Sequence, residues 1–590
     1  MNEKWPIGTI TLVSEGIVEY SAKHSDLETR ISNGRVQEIK GVGDFVYASI
    51  AVSSILLLRV FKARIAGFGE DERESSFIQS DKVIFSAEPI GVLGKDGFVS
   101  GAGNFPLVGD NIYAADDRVI DRIFSNIGDH LVSLGTVNNY DRVHPDLNLQ
   151  KILTSHIAIL GNTGSGKSTT LRTLLQKIAD IQKQLNPLVK FFVFDVHGDY
   201  EGLEFTTDIE VTQKHLPLNK LRLDDWAAAL LPSEKTQRPL LARALNIARI
   251  LPTNSQVVYA LLARDALDNT TQEGLATLKR LVTRWVKKAF PADETIREDL
   301  KNWKLNYGNE TGWEPIVKKI REYLDTVQFD SVDAIIKSVN KNNSFNLDDL
   351  EEAFEVVFGE EEVKGNRRIR GNSETFMARF RNLKTRYGHE AGILNEQHGE
   401  ELTLRNGDSS RETKIYVLNL FGLDDDALRI VSTYLARQVF EFNRSRFQSQ
   451  SEKATMPFDY LYLDEAHRYV RNLDDDSSTI FETIAREGRK FSVYLGVVSQ
   501  IPNELSRVVM SQVGAFFIHR IQNSLDLDYI RRNVPAATNG MVARLPSLPS
   551  GTALLSGNAF DVPFEIKIQA GSLGDASKSR NPIQKVKDSE

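Results

Sequence analysis

Cysteine is absent from all 590 residues, which excludes a disulfide framework and any cysteine-ligated zinc. The same absence suits a reducing compartment. No apolar run is long enough to span a bilayer: the longest, Ile50 to Val60, is interrupted by Ser53, Ser54 and Arg59. The opening Met1-Asn-Glu-Lys-Trp-Pro carries no apolar h-region, so no secretory signal is read and a cytoplasmic location without membrane contact is expected. Positive charge is in deficit too. A net charge of −8 argues against a surface coated with nucleic acid, while leaving room for a local basic channel. No internal repeat and no low-complexity tract is found. What remains is an ordinary globular composition, and the length calls for roughly two to four domains.

The stretch Gly161-Asn-Thr-Gly-Ser-Gly-Lys-Ser168 carries the most information. It follows an apolar run, His156-Ile-Ala-Ile-Leu160, that reads as a buried strand. It opens a helical pattern with Leu171, Leu174, Leu175 and Ile178 on one face. Strand, glycine-rich loop and helix in that order are the context the G-x-x-x-x-G-K-[ST] pattern requires. Backbone N–H groups turned inward at a helix amino end cradle a polyphosphate. The expected nucleotide-binding residues are Gly161, Asn162, Thr163, Gly164, Ser165, Gly166, Lys167, Ser168 and Thr169, with ATP and Mg²⁺ as cofactors. Lys167 reaches the β- and γ-phosphates, and Ser168 offers its hydroxyl to Mg²⁺.

Around this motif the chain changes style twice. Residues 1–140 alternate short β-like runs with Gly, Asp and Asn punctuation, which predicts a small barrel or sandwich. From 141 to 205, and again from 411 to 570, buried strands alternate with helices, as in a parallel α/β sheet. The strand candidates are His156–Leu160, Val189–Phe194, Ile415–Leu420, Tyr460–Leu463, Val493–Val498 and Ala515–Ile518. Residues 206–410 are charged and helix-patterned and read as an insertion. Within it an acidic run, Asp348 to Glu362, precedes a basic run, Lys364 to Arg386. The basic run is either an exposed helical face opposite the acids or, with Phe376, Phe380 and Tyr387, a nucleic-acid contact. Residues 571–590 form a polar tail.

Further chemistry sits at strand ends. Tyr460-Leu-Tyr-Leu-Asp464-Glu465-Ala-His467 is an apolar strand closed by two acids, and ligands of open α/β sheets gather at such ends. Asp464 is expected to hold the Mg²⁺ and Glu465 to activate the attacking water. Asp195, after Phe191-Phe-Val-Phe194, either lies near the γ-phosphate or makes a turn with Gly198. Gln500, after Val493–Val498, is a candidate γ-phosphate or water sensor. Arg486, Arg489 and Lys490 cluster on one side of a helix end. They are either a solvated face or an arginine finger for a neighbouring subunit's nucleotide.

Four segments together, Gly161–Ser168, Asp195-Val-His-Gly-Asp-Tyr200, Leu463-Asp-Glu-Ala-His467 and Ile484-Ala-Arg-Glu-Gly-Arg-Lys-Phe491 with Val498-Ser-Gln500, resemble the HerA members of the FtsK–HerA group. Asp199 stands where glutamate is usual in the second segment. The resemblance implies a RecA-like core with a helical insertion and an N-terminal HAS-barrel. It implies six subunits around a pore for duplex DNA, with Arg489 or Arg486 completing a neighbour's site. It also implies an effector, a nuclease or a sirtuin-like NADase, docked on the barrel and serving antiphage defence or DNA end processing. The expected function is an ATP-driven DNA translocase; the alternative is an ATP-controlled ring scaffold that activates the effector.

Overall fold

The computed structural model describes residues 5–570, apart from 15, 28–29, 33–34, 38–40, 66–81, 96, 126–129, 186–188, 269–271, 307–308, 341–342, 405–413, 450–456 and 472–477. The expected polar tail, 571–590, lies outside the described residues.

The β-like runs near the amino end fold as a seven-stranded antiparallel sheet, in which, among the described residues, Gly97–Ser100 pairs only with its neighbour Lys82–Gly94. Six strands form the closed part: β1 (Gly8–Ser14), β2 (Ile17–Lys23), β3 (Phe45–Ala51), β4 (Ser54–Ile65), β5 (Lys82–Gly94) and β6 (Asn111–Ala114). Their order, β2-β1-β6-β3-β4-β5, closes because β2 also pairs with β5, from Val18 opposite Ala87 to Lys23 opposite Lys82. Closure into a barrel leaves none of the six as a free edge. Alternation fills the interior: Val18, Tyr20 and Ala22 of β2 meet Leu56, Leu58 and Val60 of β4.

The second unit is one ten-stranded sheet. Its strands are β7 (Gly135–Val137), β8 (His156–Leu160), β9 (Val189–Asp195), β10 (Thr207–Glu210), β11 (Lys414–Asn419), β12 (Phe458–Leu463), β13 (Val493–Ser499), β14 (Val513–Ile518), β15 (Thr552–Ser556) and β16 (Phe564–Ile568). The spatial order is β7-β16-β15-β14-β8-β13-β12-β9-β11-β10. From β14 to β10 every pairing is parallel, so seven carboxyl ends share one edge; β15, β16 and β7 continue antiparallel. Every residue of β8, β9 and β13 is buried, which requires cover on both faces and explains their apolar sequences.

Four strands of this sheet are not among the sequence candidates: Thr552–Ser556 and Phe564–Ile568 still lie within the 411–570 stretch assigned to the core, and two lie outside the core stretches. Gly135–Val137 lies inside the stretch assigned to the barrel, and Thr207–Glu210 inside the stretch assigned to the insertion; both join the core sheet. They are three and four residues long and hold their places at the sheet edge by backbone pairing, which leaves little trace in composition.

The insertion leaves and returns side by side, because Lys214–His215 pairs with Glu400–Glu401. Its helices Gln237–Ala248 and Leu347–Val363 pack together, with Phe354 against Phe376 and Phe380. The acidic and basic runs face one another. Arg370 contacts Glu355 and Glu362, Lys384 contacts Asp348 and Glu351, and Arg381 reaches Glu351. Phe376 and Phe380 are buried, so the helical-face alternative describes this segment. The insertion is anchored by Asp225, fully buried, against Arg437 of the helix Asp425–Ser449.

Barrel and core meet across a buried charge cluster. Arg59 on β4 donates to Glu565 on β16 at 2.5 Å, and Asn138 and Arg544 bind the same carboxylate. Among the described residues no helix is long and apolar enough to cross a membrane.

Candidate nucleotide-binding site

Because the central strands are parallel, the segments that follow β8, β9, β12, β13 and β14 emerge at one edge, and the site is built from them. The loop after β8 runs from Gly161 to Gly166, and the helix Lys167–Asp180 begins at once. Gly161 has φ +152°, and a Cβ there would stand 2.6 Å from His519 Cβ and 2.7 Å from Ser165 Oγ. Gly166, the helix cap, has φ +117°, a conformation that costs a side-chain-bearing residue dearly. The loop is braced from outside: Ser550 Oγ donates to Gly164 O at 2.7 Å, and Gly551 N to Ser165 O at 2.9 Å.

Lys167 is buried, and its Nζ donates to Asn162 O at 3.2 Å. Burial lowers its pKa, opposed by Glu465, Asp464 and Asp199 nearby. Ser168 Oγ donates to Asp199 Oδ2 at 2.6 Å. Thr169 is half-buried in the first helical turn, where its carbonyl accepts from Thr173 Oγ1.

Asp464 and Glu465 follow β12. Glu465 takes a left-handed φ of +46°, which turns the two neighbouring carboxylates apart. Asp464 is 3% exposed, and its Oδ2 is buried without a hydrogen-bond partner among the described residues. Burial, then the charges of Glu465 and Asp195, push its carboxyl up to about 8 against the opposing pull of His197. Glu465 is buried too, which favours its neutral form. Contacts with His197 and Gln500, and the charges of Lys167 and His467, outweigh this and hold it below the usual carboxylate range. His197 Nε2 lies 3.6 Å from Oε1, and His467 Nδ1 3.2 Å from Oε2. Burial lowers the pKa of His467, whereas contact with Glu465 raises that of His197.

Gln500 bridges the two halves of the site. Its Nε2 donates to Glu465 Oε1, and its Oε1 accepts from Thr163 Oγ1 at 2.5 Å. Asp195 is fully buried and faces inward on its own loop. Its Oδ1 accepts from the backbone N–H of His197, Gly198 and Asp199, and its Oδ2 from Tyr200. With both oxygens occupied by backbone donors, the turn alternative describes Asp195; it positions His197 and Asp199, which face the other site residues.

Arg486 and Arg489 are exposed and lie elsewhere. The helix Ile480–Glu487 and the turn Gly488–Phe491 lead into β13, so they sit at the amino edge of the sheet. His156, the first residue of β8, confirms the location: its Nε2 is 3.1 Å from Ala485 O. The length of β8, on the order of 15 Å, separates that edge from the P-loop of the same chain.

Four side chains around the P-loop and Glu465 were not assigned roles from sequence. Asp199, His197 and His467 appeared only as members of motifs. His519 had no local signal at all. It lies under the P-loop, fully buried, where Nδ1–H donates to Thr552 O at 3.0 Å and Nε2 accepts from Thr170 Oγ1 at 2.8 Å. Burial pulls its pKa down to about 4, so the imidazole is neutral.

A parallel sheet whose P-loop faces a buried Asp-Glu pair and a bridging glutamine defines a P-loop ATPase that uses nucleotide. Residues 132–439 match the family described as Helicase HerA, central domain, and the chain belongs to that family. It is similar to the protein named "Probable helicase MJECL08" of Methanocaldococcus jannaschii, 26% identical over 97% of this chain and 99% of that one. It is also similar to the DNA double-strand break repair helicase HerA of Sulfurisphaera tokodaii, 24% identical over 83% of this chain and 79% of that one. Among solved structures it resembles VirB4 of Thermoanaerobacter pseudethanolicus at 16% identity, covering 76% of this chain and 99% of that one with a TM-score of 0.39.

Proposed function

We propose that this chain is the subunit of a hexameric ring motor that hydrolyses ATP to move along duplex DNA. The observation that supports the ring is the separation of Arg486 and Arg489 from their own P-loop: at the opposite sheet edge they are out of reach of their own chain's site and exposed for a neighbour's. Duplex DNA enters the proposal from relatives named as DNA double-strand break repair helicases.

In this reading the N–H groups of the 161–166 loop cradle the phosphates, and Lys167 neutralises the β- and γ-oxygens. Ser168 and Asp464 are the residues to hold Mg²⁺, which when bound neutralises charge on the phosphates. The buried, unpartnered Asp464 Oδ2 fits that role. Glu465, kept ionised by its neighbours, orients the attacking water and takes its proton. Gln500 links that carboxylate to Thr163 and so reports on the γ-phosphate. Arg489 or Arg486 of the adjacent subunit stabilises the charge that develops in transfer.

ATP turnover measured with and without duplex DNA tests this proposal, alongside light scattering with nucleotide. Stimulation by DNA and a six-subunit mass are expected. Lys167→Ala and Glu465→Gln should each lower turnover at least about a hundredfold. A particle that stays monomeric with nucleotide refutes the ring.

A second reading makes the ring chiefly a platform for an effector, a nuclease or NADase, in antiphage defence. It is favoured by apolar side chains left exposed beside the barrel's first hairpin: Trp5, Leu12, Ile17, Leu107 and Val108. Glu465-dependent turnover that DNA never alters would support this reading over the motor.

A further inference from the structure

Beside the tip of the P-loop, an open cleft is lined by eight residues, six of which bear on its chemistry: Asn162, Thr163, Gln500, Arg520, Asn523 and Asp526. Arg520 stands two residues beyond β14, and its carbonyl accepts the N–H of Asn162 at 2.9 Å, which pins its backbone to the phosphate loop. Among the described residues Arg520 forms no ion pair, and its Nε is buried without a hydrogen-bond partner. Other arginines, Arg172 and Arg249 among them, also carry a buried N–H without a partner among the described residues. What sets Arg520 apart is its place on an open cleft beside the phosphate loop, where a guanidinium that cannot shed its proton suits an acceptor oxygen from outside the chain.

The rest of the cleft narrows the ligand. Asn162, Thr163, Gln500 and Asn523 contribute uncharged polar groups. Asp526 is the one acid among the six, and its Oδ1 already accepts the N–H of Asn503 at 3.1 Å. The helix Ser524–Asn533 starts at the same wall, and its amino end adds positive potential. Thr163 contacts both the loop and, through Gln500, the carboxylate of Glu465. This is therefore the side of the loop on which a terminal phosphate and the catalytic carboxylate meet.

We propose that Arg520 is a phosphate-contacting residue supplied in cis: it binds the terminal phosphate of the nucleoside triphosphate held by its own chain and makes the site distinguish triphosphate from diphosphate. This rests on reading 161–169 as the nucleotide site. It differs from the neighbour's arginine, because Arg520 acts without a second subunit and before hydrolysis.

The test uses the full chain with Mg²⁺, without DNA, and compares binding of fluorescent ADP with that of a fluorescent β,γ-imido ATP analogue. Arg520→Ala should weaken the ATP analogue about ten- to a hundredfold, the worth of a charge-assisted hydrogen bond, and leave ADP within about twofold. Arg520→Lys, which keeps the charge and loses the fork, should recover part of the difference. An equal loss for both nucleotides, in variants whose melting curves match wild type, overturns the proposal. So does an unchanged pair of affinities; a separate titration of that variant with labelled duplex DNA, if it shows weakened binding, then reassigns the cleft to a nucleic-acid phosphate. Wild-type protein that binds neither nucleotide refutes the P-loop reading itself, and the two failures are thereby told apart.

Discussion

Asp464 offers the sharpest quantitative test of the site's electrostatics. Its carboxyl is pushed from 3.8 to about 8, first by burial and then by the charges of Glu465 and Asp195. At about 1.4 kcal/mol per pH unit, ionising it in the nucleotide-free protein costs up to about 6 kcal/mol. The sign follows from proton counting. Between about pH 4 and pH 8 the unfolded chain has released this proton while the folded chain retains it, so stability falls as pH rises through that window and levels off above it. Asparagine keeps the shape and cannot ionise. Asp464→Asn should therefore match wild type near pH 4 to 5 and melt several degrees higher by pH 8, in chelator and without nucleotide. Adding Mg²⁺ and ADP should reverse the order, because only the carboxylate rewards the cation. Melting curves of both proteins across that pH range decide the matter. A gap that does not widen with pH, or a variant that melts lower at pH 8, refutes the reasoning.

Other predictions follow from the same geometry. Lys167→Ala and Arg489→Ala, each inactive alone, should regain turnover when mixed, since a mixed ring holds some sites with an intact P-loop and an intact neighbouring arginine; no recovery with either Arg489→Ala or Arg486→Ala would exclude a shared site. Asp195→Ala strips four backbone N–H groups of their acceptor and should cost about 2–3 kcal/mol in urea unfolding, with Asp195→Asn recovering part. Arg59→Met removes one guanidinium from the buried Glu565 and should cost about 2–4 kcal/mol. A double-mutant cycle with Glu565→Gln should then show coupling of at least about 1 kcal/mol, and strict additivity would mean that barrel and core are joined by other contacts.

Much of the core could be read from residues in order. Strands buried on both faces are written as apolar runs, and a P-loop is local because one strand, one turn and one helix build it. The acids at 464 and 465 were legible for the same reason, standing at the end of such a run. Legibility failed for short edge strands, where three or four residues are held by backbone pairing. It failed as well for groups whose meaning depends on what faces them. Asp195 could be a phosphate-side carboxylate or a turn-maker by its sequence; four N–H groups converging on it decide for the turn. The basic run from Lys364 to Arg386 could meet nucleic acid or the preceding acids; folding sets it against the acids and buries Phe376 and Phe380.

The sequence by itself determined the chemistry and the class of its elements: a phosphate loop after a buried strand, two acids at another strand's end, and ahead of both a run of short strands that its pattern left as barrel or sandwich. Those features depend on hydrophobic period and local turn geometry, which neighbouring residues encode. Only the tertiary structure decided which side chains meet. It brought His197, His467 and Gln500 to Glu465, slid His519 beneath the P-loop, set Arg520 on the cleft beside it with its Nε unpartnered among the described residues, and sent Arg486 and Arg489 to the far edge of the sheet. Contacts between residues hundreds of positions apart are set by strand order and direction, and no local pattern in the chain records them.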